Sequence, residues 1–401
     1  MMWEKVKIGD VYEGLYDGPH ATPPTSDDGA IFLGISNITK DGHIDLSDIK
    51  HINENDLPKW TKRVTPKGGD IVFSYEATLN LYAIIPDDFW GCLGRRMALI
   101  RPDETKAHGK YLYYYFFSEE WRSTVSSHII TGATVDRIPI AKFPEFIISL
   151  PPMEKQHKIA NILSNYDDLI VNNKKQIKIL EEAAQRLYKD WFVDLHFPGY
   201  EDVEIVDGVP DGWTFTTVDS FIKLQSGYAF KSNSFDNTGK FKIVTIKNVQ
   251  DGKFDGNNVN RIVEIPTKMP SHCKLIEGDT LLSLTGNVGR ICTVIGNDYL
   301  LNQRVAKIAS DYPCYAYCLF SSKKMFHDMN NLANGAAQQN LSPIRTGQMQ
   351  ILKPSKEVLI MFEEMTKPLI DKKILLNKSM ITAAEARDRL LPKLMSGEIQ
   401  V

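Results

Sequence analysis

Pro102-Asp103-Glu104-Thr105-Lys106 gathers two carboxylates and an amine into five positions, the combination a metal-dependent nuclease centre would want. It sits in a polar loop, however, and nothing like it recurs in the second half of the chain, so a solvated turn is the expected reading. Cys314 and Cys318 are spaced C-x-x-x-C, but no second Cys/His pair completes a zinc site, and buried thiols are expected instead. No G-x-x-x-x-G-K-[ST] cradles a phosphate, and no G-x-G-x-x-G opens a helix. Pro23-Pro24 and Pro151-Pro152 lack the residues that flank the proline pair of adenine methyltransferases. Gly34-Ile35-Ser36-Asn37 lacks the second glycine of a nucleophile elbow. The nine histidines pair with no Ser or Cys nucleophile by spacing. The chain therefore reads as a non-enzyme with no catalytic residues, no metal site and no cofactor of its own.

The elements that carry these residues are organised as a repeat. Gly132-Ala133-Thr134 to Pro151 matches Gly335-Ala336-Ala337 to Pro354, and at the same offset Ile159, Arg186 and Leu187 fall on Phe362, Arg389 and Leu390. Upstream, Gly69-Asp70-Ile71 matches Gly278-Asp279-Thr280, and Asp41-Gly42-His43-Ile44-Asp45 matches Asp251-Gly252-Lys253-Phe254-Asp255. Each half is a strand-rich globule followed by a long amphipathic helix. With 401 residues there is room for two ordinary domains plus extended helices. No apolar run approaches a membrane span, and Met1-Met2-Trp3-Glu4-Lys5 lacks the regions of a signal peptide. With five cysteines and no disulfide framework, a reducing, cytoplasmic setting is expected.

The net charge of −3 conceals an asymmetry. Residues 1–152 hold 16 Lys/Arg against 21 Asp/Glu, whereas residues 213–355 hold 16 against 10. The second globule has the balance of a phosphate-facing domain; in the first, any polyanion site must be a local patch.

Secondary structure follows from periodicity. Asp70–Ser74, Leu81–Ile85 and Phe146–Leu150 predict strands, and Tyr111, Leu112, Tyr115 and Phe116 predict a helix over Gly109–Ser118. Glu154–Phe192 contains no Gly or Pro. Its seam of Ile159, Leu163, Tyr166, Ile170, Asn173, Ile177, Leu180, Ala184, Leu187 and Trp191 alternates steps of four and three, a heptad repeat in which Asn173 is the polar member that sets register. The matching seam of a second helix over Glu357–Leu391 is Phe362, Thr366, Leu369, Lys373, Leu376, Met380, Ala383, Arg387, Leu390 and Leu394, with Pro392 expected to end or kink the helix. Neither helix would bury its stripe alone, so the two should pack together or dock a partner. The expected segments are a first globule over 1–152, a first long helix over 153–193 and a turn-rich linker over 194–212. A second globule over 213–355 and a second long helix with a C-terminal tail over 356–401 complete the chain.

Four motifs carry a family resemblance over essentially the whole chain. They are Gly335-Ala336-Ala337-Gln338-Gln339-Asn340-Leu341-Ser342, Leu284-Thr285-Gly286-Asn287-Val288-Gly289-Arg290, Leu150-Pro151-Pro152-Met153-Glu154-Lys155-Gln156, and Leu390-Leu391-Pro392-Lys393-Leu394-Met395-Ser396-Gly397-Glu398-Ile399. The chain resembles the specificity subunit of Type I restriction–modification systems. The resemblance implies an α+β fold of two mixed, strand-rich target-recognition domains, separated by two long antiparallel coiled-coil helices in an internal pseudo-twofold repeat. It implies a DNA-binding subunit that reads a bipartite double-stranded target, one half per domain. Two methyltransferase subunits would dock on the helices and translocase/nuclease subunits would join them; S-adenosylmethionine, ATP and Mg would belong to those partners. The rival reading is a non-catalytic coiled-coil scaffold that binds only proteins.

Base edges are read by Arg, Gln, Asn, Ser and Thr, and phosphates are held by Lys and Arg. In the second domain the candidates are the amides Gln338, Gln339 and Asn340, then Thr285, Asn287 and Arg290 of the glycine-bearing loop, Tyr228 and Lys231 after a turn, and Gln303-Arg304 before a strand. In the first domain they are Asn80, Arg95, Arg96, Thr134 and Arg137. The first copy departs from the motifs: Gly132–Arg137 lacks the paired glutamines, and Ala77-Thr78-Leu79-Asn80-Leu81-Tyr82, taken as the counterpart of the glycine-bearing loop, lacks the glycines.

Overall fold

The computed structural model describes residues 3–132, 135–257, 259–333 and 339–401. The chain divides into two compact units, Met1–Leu169 with Ala383–Val401, and Ile170–Thr382.

In the first unit the strands are β1 (Glu4–Lys7), β2 (Tyr12–Asp17), β3 (Ala30–Leu33), β4 (Lys50–Ile52), β5 (Ile71–Ser74), β6 (Tyr82–Ile84), β7 (Gly91–Leu93), β8 (Met97–Pro102) and β9 (Ile147–Leu150). They pair as β2-β8-β5-β6, β4-β3-β7 and β1-β9. The four residues of β5 are all buried because the sheet is covered on both faces. Ile71 and Phe73 enter the core formed with the helices, while Val72 enters a second cluster with Leu33, Leu93 and Leu99. A short α1 (Leu57–Trp60) precedes β5, and α2 (Gly109–Tyr115) and α3 (Glu119–His128) follow β8. The helix expected over Gly109–Ser118 is α2, and a second helix that the sequence reading did not anticipate follows it, because Ser118 caps α3: its hydroxyl accepts from the Trp121 N–H at 3.2 Å, with Glu119 and Glu120 in the first turn. Trp121 is fully buried, and its indole N–H donates to the Tyr82 hydroxyl at 2.8 Å.

Helix α4 (Met153–Phe192) follows. Residues 194–212 are turn-rich as expected, with Gly199, Gly208 and Gly212 at positive φ, but they are not a free tether. Strands β10 (Ile205–Val206) and β11 (Val209–Pro210) form a small hairpin, and Phe197, Tyr200 and Val209 pack on the second unit's core.

The second unit repeats the first, strand for strand. Its strands are β12 (Thr214–Thr217), β13 (Ile222–Ser226), β14 (Phe241–Val244), β15 (Asn260–Ile262), β16 (Thr280–Ser283), β17 (Ile291–Thr293), β18 (Tyr299–Leu301), β19 (Val305–Ser310) and β20 (Gln350–Lys353). They pair as β13-β19-β16-β17, β15-β14-β18 and β12-β20. Helices α5 (Pro313–Ser321), α6 (Lys323–Leu332) and α7 (Pro343–Gly347) lead into the last helix, α8 (Lys356–Ser396).

At about 1.5 Å per residue, the 40 residues of α4 and the 41 of α8 make rods of roughly 60 Å. Every position of both expected seams is buried or half-buried. The helices run antiparallel, since contacts fall on one as they rise on the other. In the first unit Arg387 pairs with Asp167. In the second unit Asn173, 3% exposed, donates to the Ser379 hydroxyl at 3.0 Å, and Lys373 meets Glu181 at 2.8 Å. Two of the three polar seam members of α8, Lys373 and Arg387, are therefore matched by partners, whereas the buried Thr366 hydroxyl has none among the described residues. Pro392 neither ends nor sharply stops the helix, which continues to Ser396 and also contains Pro368. Both prolines lie on the exposed side, as do Glu364 and Asp388, whose carbonyls lose an N–H partner and can take water instead. The C-terminal segment is no loose tail: Leu394 and Met395 are buried in the first unit's core, and Leu390, Ile399 and Val401 pack against it.

Candidate nucleic-acid interface

Strand register brings three connections to one end of the four-stranded sheet in each unit. In the second unit Ser226 pairs with Ala306, Ser283 with Val305 and Leu282 with Ile291, so Gly227-Tyr228, Leu284–Arg290 and Asn302–Arg304 emerge together. A fourth segment, Gln339–Leu341, is stitched alongside by backbone bonds. The Leu284 N–H donates to the Arg304 carbonyl at 3.0 Å, the Gly286 N–H to the Gln339 carbonyl at 3.0 Å, and the Leu341 N–H to the Leu284 carbonyl at 2.8 Å. The Gln303 N–H donates to the Tyr228 carbonyl at 3.1 Å. These loops border an open cleft of 410 Å³ lined by Ser226, Thr285, Gln303, Arg304, Asn340 and Pro343 among others.

The structure thus joins Tyr228, Thr285, Gln303, Arg304, Gln339 and Asn340 at one edge, although they are spread over more than a hundred positions of sequence. Gln303, Arg304, Gln339 and Asn340 are exposed. Thr285 is not: it is 5% exposed, and its hydroxyl donates to Asn340 Oδ1 at 2.8 Å, which orients that amide. Asn287 and Arg290 do not line the cleft. Asn287 is exposed on the turn before β17, and Arg290 donates to Gln250 Oε1 at 2.9 Å. Lys231 is exposed beyond Tyr228, and Gln338 lies outside the described residues.

The first unit builds the same frame. The Tyr75 N–H donates to the Arg96 carbonyl at 3.2 Å, the Ala77 N–H to the Asp136 carbonyl at 3.1 Å, and the Ile138 N–H to the Tyr75 carbonyl at 2.8 Å. These three bonds place Glu76 where the second unit has Thr285, Arg137 where it has Asn340, and Arg95-Arg96 where it has Gln303-Arg304. The counterpart of Thr285 is accordingly Glu76, one residue earlier than the sequence comparison put it. The glycines missing from the first loop are replaced by residues forced into their conformation. Ala77 (φ 69°) and Asn80 (φ 63°) stand where Gly286 (φ 75°) and Gly289 (φ 82°) stand. Asn tolerates this region better than Ala, and Asn80 Oδ1 accepts from the Tyr82 hydroxyl at 3.1 Å, so Asn80 serves the turn. Thr134 lies outside the described residues.

Although the first domain is acidic as a whole, this edge is rich in arginine. Arg63, Arg95 and Arg137 are exposed and Arg96 is half-exposed. Burial pushes the Tyr75 hydroxyl up; Asp17 and Glu76 add to the shift, and Arg63 and Arg96 oppose it. Arg63 pairs with Asp17, and Arg96 lies 3.9 Å from Glu76. Sequence reading missed Arg63 and Glu76, since neither lies in a motif and only the fold brings them to the edge.

The polar loop at Pro102–Lys106 has structural work. Asp103 accepts from the Thr105 N–H (3.1 Å) and hydroxyl (2.6 Å), and Thr105 and Lys106 hold its carboxyl below the usual range. Glu104 accepts from the Gly109 N–H at the start of α2 at 3.0 Å. Among the described residues no group of three or more His, Cys, Asp or Glu could hold a metal ion. Cys314 and Cys318 are buried in α5. Among the described residues no helix is long and apolar enough to cross a membrane.

The chain matches the model of the Type I restriction modification DNA specificity domain twice, over residues 2–182 and 210–353. It belongs to this family. A relative is the specificity subunit of the Type I restriction enzyme MjaIX of Methanocaldococcus jannaschii, 26% identical over 88% of this chain and 82% of that protein. Another is the specificity subunit of the Type I restriction enzyme HindI of Haemophilus influenzae, 22% identical over 99% of both. Among solved structures, the S subunit of a Type I restriction–modification system from M. genitalium covers 98% of this chain and 96% of its own length. Its TM-score is 0.60 at 16% identity, a likeness of fold. Two family domains in one chain agree with the two sheet-end loop frames described above.

Proposed function

We propose that each unit of this specificity subunit reads one half of a bipartite DNA target at its sheet-end loops. The observation that carries this reading is the recurrence of one hydrogen-bonded loop frame in both units, each time presenting exposed amides or guanidinium groups. In the second unit Gln339, Asn340, Gln303 and Arg304 would contact bases, with Gln338, Tyr228 and Lys231 supporting them on bases or phosphates. In the first, Arg95, Arg96 and Arg137 would do so, with Arg63 on the backbone. Arginine pairs bidentately with guanine and amides with adenine.

The two helices would set the gap between half-sites and dock two methyltransferase subunits, joined by translocase/nuclease subunits, in the cytoplasm. Catalysis would reside in those partners, with their S-adenosylmethionine, ATP and Mg; this chain would contribute sequence choice alone. The test is methylation mapping in a host that carries the cognate methyltransferase subunits. Asn340→Ala or Arg304→Ala should relax one half-site, by about 1–3 kcal/mol per lost bidentate contact, and leave the other half and the gap intact. Retention of partner subunits with no sequence-dependent DNA binding would favour the protein-only scaffold.

A further inference from the structure

The loop frame puts an acidic residue on an arginine-rich edge. Glu76 occupies the position that Thr285 holds in the second unit, fixed by the Ala77–Asp136 and Tyr75–Arg96 backbone bonds on either side of it. Its side chain is 29% exposed and is held only loosely, by Arg96 at 3.9 Å. Thr285, by contrast, is buried with its hydroxyl committed to Asn340. The two residues therefore share a place in the frame and differ in what they leave available.

An ionised carboxylate only accepts hydrogen bonds. Facing phosphates it is repelled, so at a DNA-facing edge its favourable partners are base donors. In the major groove those donors are the exocyclic amines, cytosine N4 and adenine N6. Arg95, Arg96 and Arg137, on the same edge, supply the complementary donors for guanine or phosphate. Resting on the DNA-reading function proposed above, we infer that Glu76 is a specificity-determining residue of the first half-site, accepting a hydrogen bond from an exocyclic amine. The first domain is thereby set to reject bases that show only acceptors at that position, since they would leave the carboxylate unpaired against an acceptor.

Methylation mapping of the complete complex with Glu76→Met, Arg96→Ala, Arg137→Ala and Thr285→Val tests this. Methionine keeps the length of the glutamate side chain and removes both acceptor oxygens, and an unchanged melting temperature will verify folding. Glu76→Met is expected to lower methylation of the native motif on the order of tenfold or more relative to motifs changed at one position of the first half-site. The second half-site and the gap should be unchanged, and the base at the altered position distinguishes cytosine from adenine. Two outcomes overturn the inference while sparing the function: an unchanged motif for Glu76→Met with a changed first half-site for Arg137→Ala, or the same altered position for Glu76→Met and Arg96→Ala. In the second case Glu76 is a positioning residue for Arg96. If none of the four variants alters either half-site, the DNA-reading function itself falls.

Discussion

Glu181→Leu should destabilise the second unit far more than Lys373→Met, although each removes one partner of the same ion pair. Lys373 sits on the α8 seam at 2% exposure, 2.8 Å from Glu181, hydrogen-bonded to the Tyr317 hydroxyl, with its ammonium 4.3 Å from the Tyr317 ring centre. Glu181 is 30% exposed. Removing Glu181 strands a charge with no access to water, a situation that costs about 3–5 kcal/mol. Removing the lysine strands a carboxylate that water still reaches, so the loss should be about 1–2 kcal/mol. Two apolar residues of similar volume suit a helix seam, so the double variant should lie within about 1 kcal/mol of the parent. Calorimetry of the full chain reads these effects: at roughly 2–4 °C per kcal/mol for a unit of this size, Glu181→Leu lowers one transition by roughly 10 °C. The pH dependence supplies a second check. In the native chain burial works against the Lys373 charge, but Tyr317 and Glu181 outweigh it and the pKa is raised. Its stabilisation is then complete below the unfolded value of about 10.4 and lost above it as pH rises through the folded value. Without Glu181 only Tyr317 still opposes burial, so the folded pKa falls and the loss of stability above the unfolded value should be smaller in Glu181→Leu than in the parent. Equal losses for the two single variants, or losses that simply add in the double, would refute this account of the seam.

Asp167→Ala should cost about 2 kcal/mol in the first unit, because the Tyr114 hydroxyl loses its partner and Arg387 (its side chain 11% exposed) keeps only the exposed Asp388; the transition of that unit in the same calorimetric scan checks it. Ala77→Gly should be neutral to stabilising by about 1 kcal/mol, since relief of a left-handed alanine exceeds or balances the added chain entropy. Gly289→Ala should destabilise, because its φ is positive and a Cβ would meet Phe326 at 3.1 Å; urea unfolding of both variants tests the pair. The five cysteines are buried, and burial pushes Cys92 up to about 11 and Cys292 and Cys318 up to about 12. A thiol reagent at pH 8 should therefore react slowly with the folded chain and with all five after unfolding; rapid native labelling would contradict the burial.

Local periodicity was enough to determine the long helices. A heptad seam without interruption needs only sequence spacing, and the seam residues from Ile159 to Trp191 and from Phe362 to Leu394 are all at least half-buried. The repeat likewise specified two equivalent units, because similar strand and turn signals in the same order fold to the same pairing. Strand existence at Ile71–Ser74 was legible from three apolar residues in a row, but not that alternate residues enter two different cores.

The candidate interface was legible only in part. Amides and arginines could be chosen by chemistry, yet their assembly depends on backbone bonds between segments far apart in sequence, such as Gly286 with Gln339. For the same reason spacing gave Thr285 no warning that its hydroxyl would be consumed by Asn340. The sequence comparison put the first loop one residue late because Ala77 and Asn80 take the positive φ of Gly286 and Gly289 without being glycine, against a preference of only about 1–2 kcal/mol. Pro392 failed as a helix stop because its effect depends on whether the orphaned carbonyl faces water or core. Composition described the first domain as acidic, but charge acts through distance, and the fold gathers Arg63, Arg95, Arg96 and Arg137 at one edge of the sheet. Short-range preferences were set by the sequence itself; which residues became neighbours, and so which chemistry they share, was decided by the packing of the sheets.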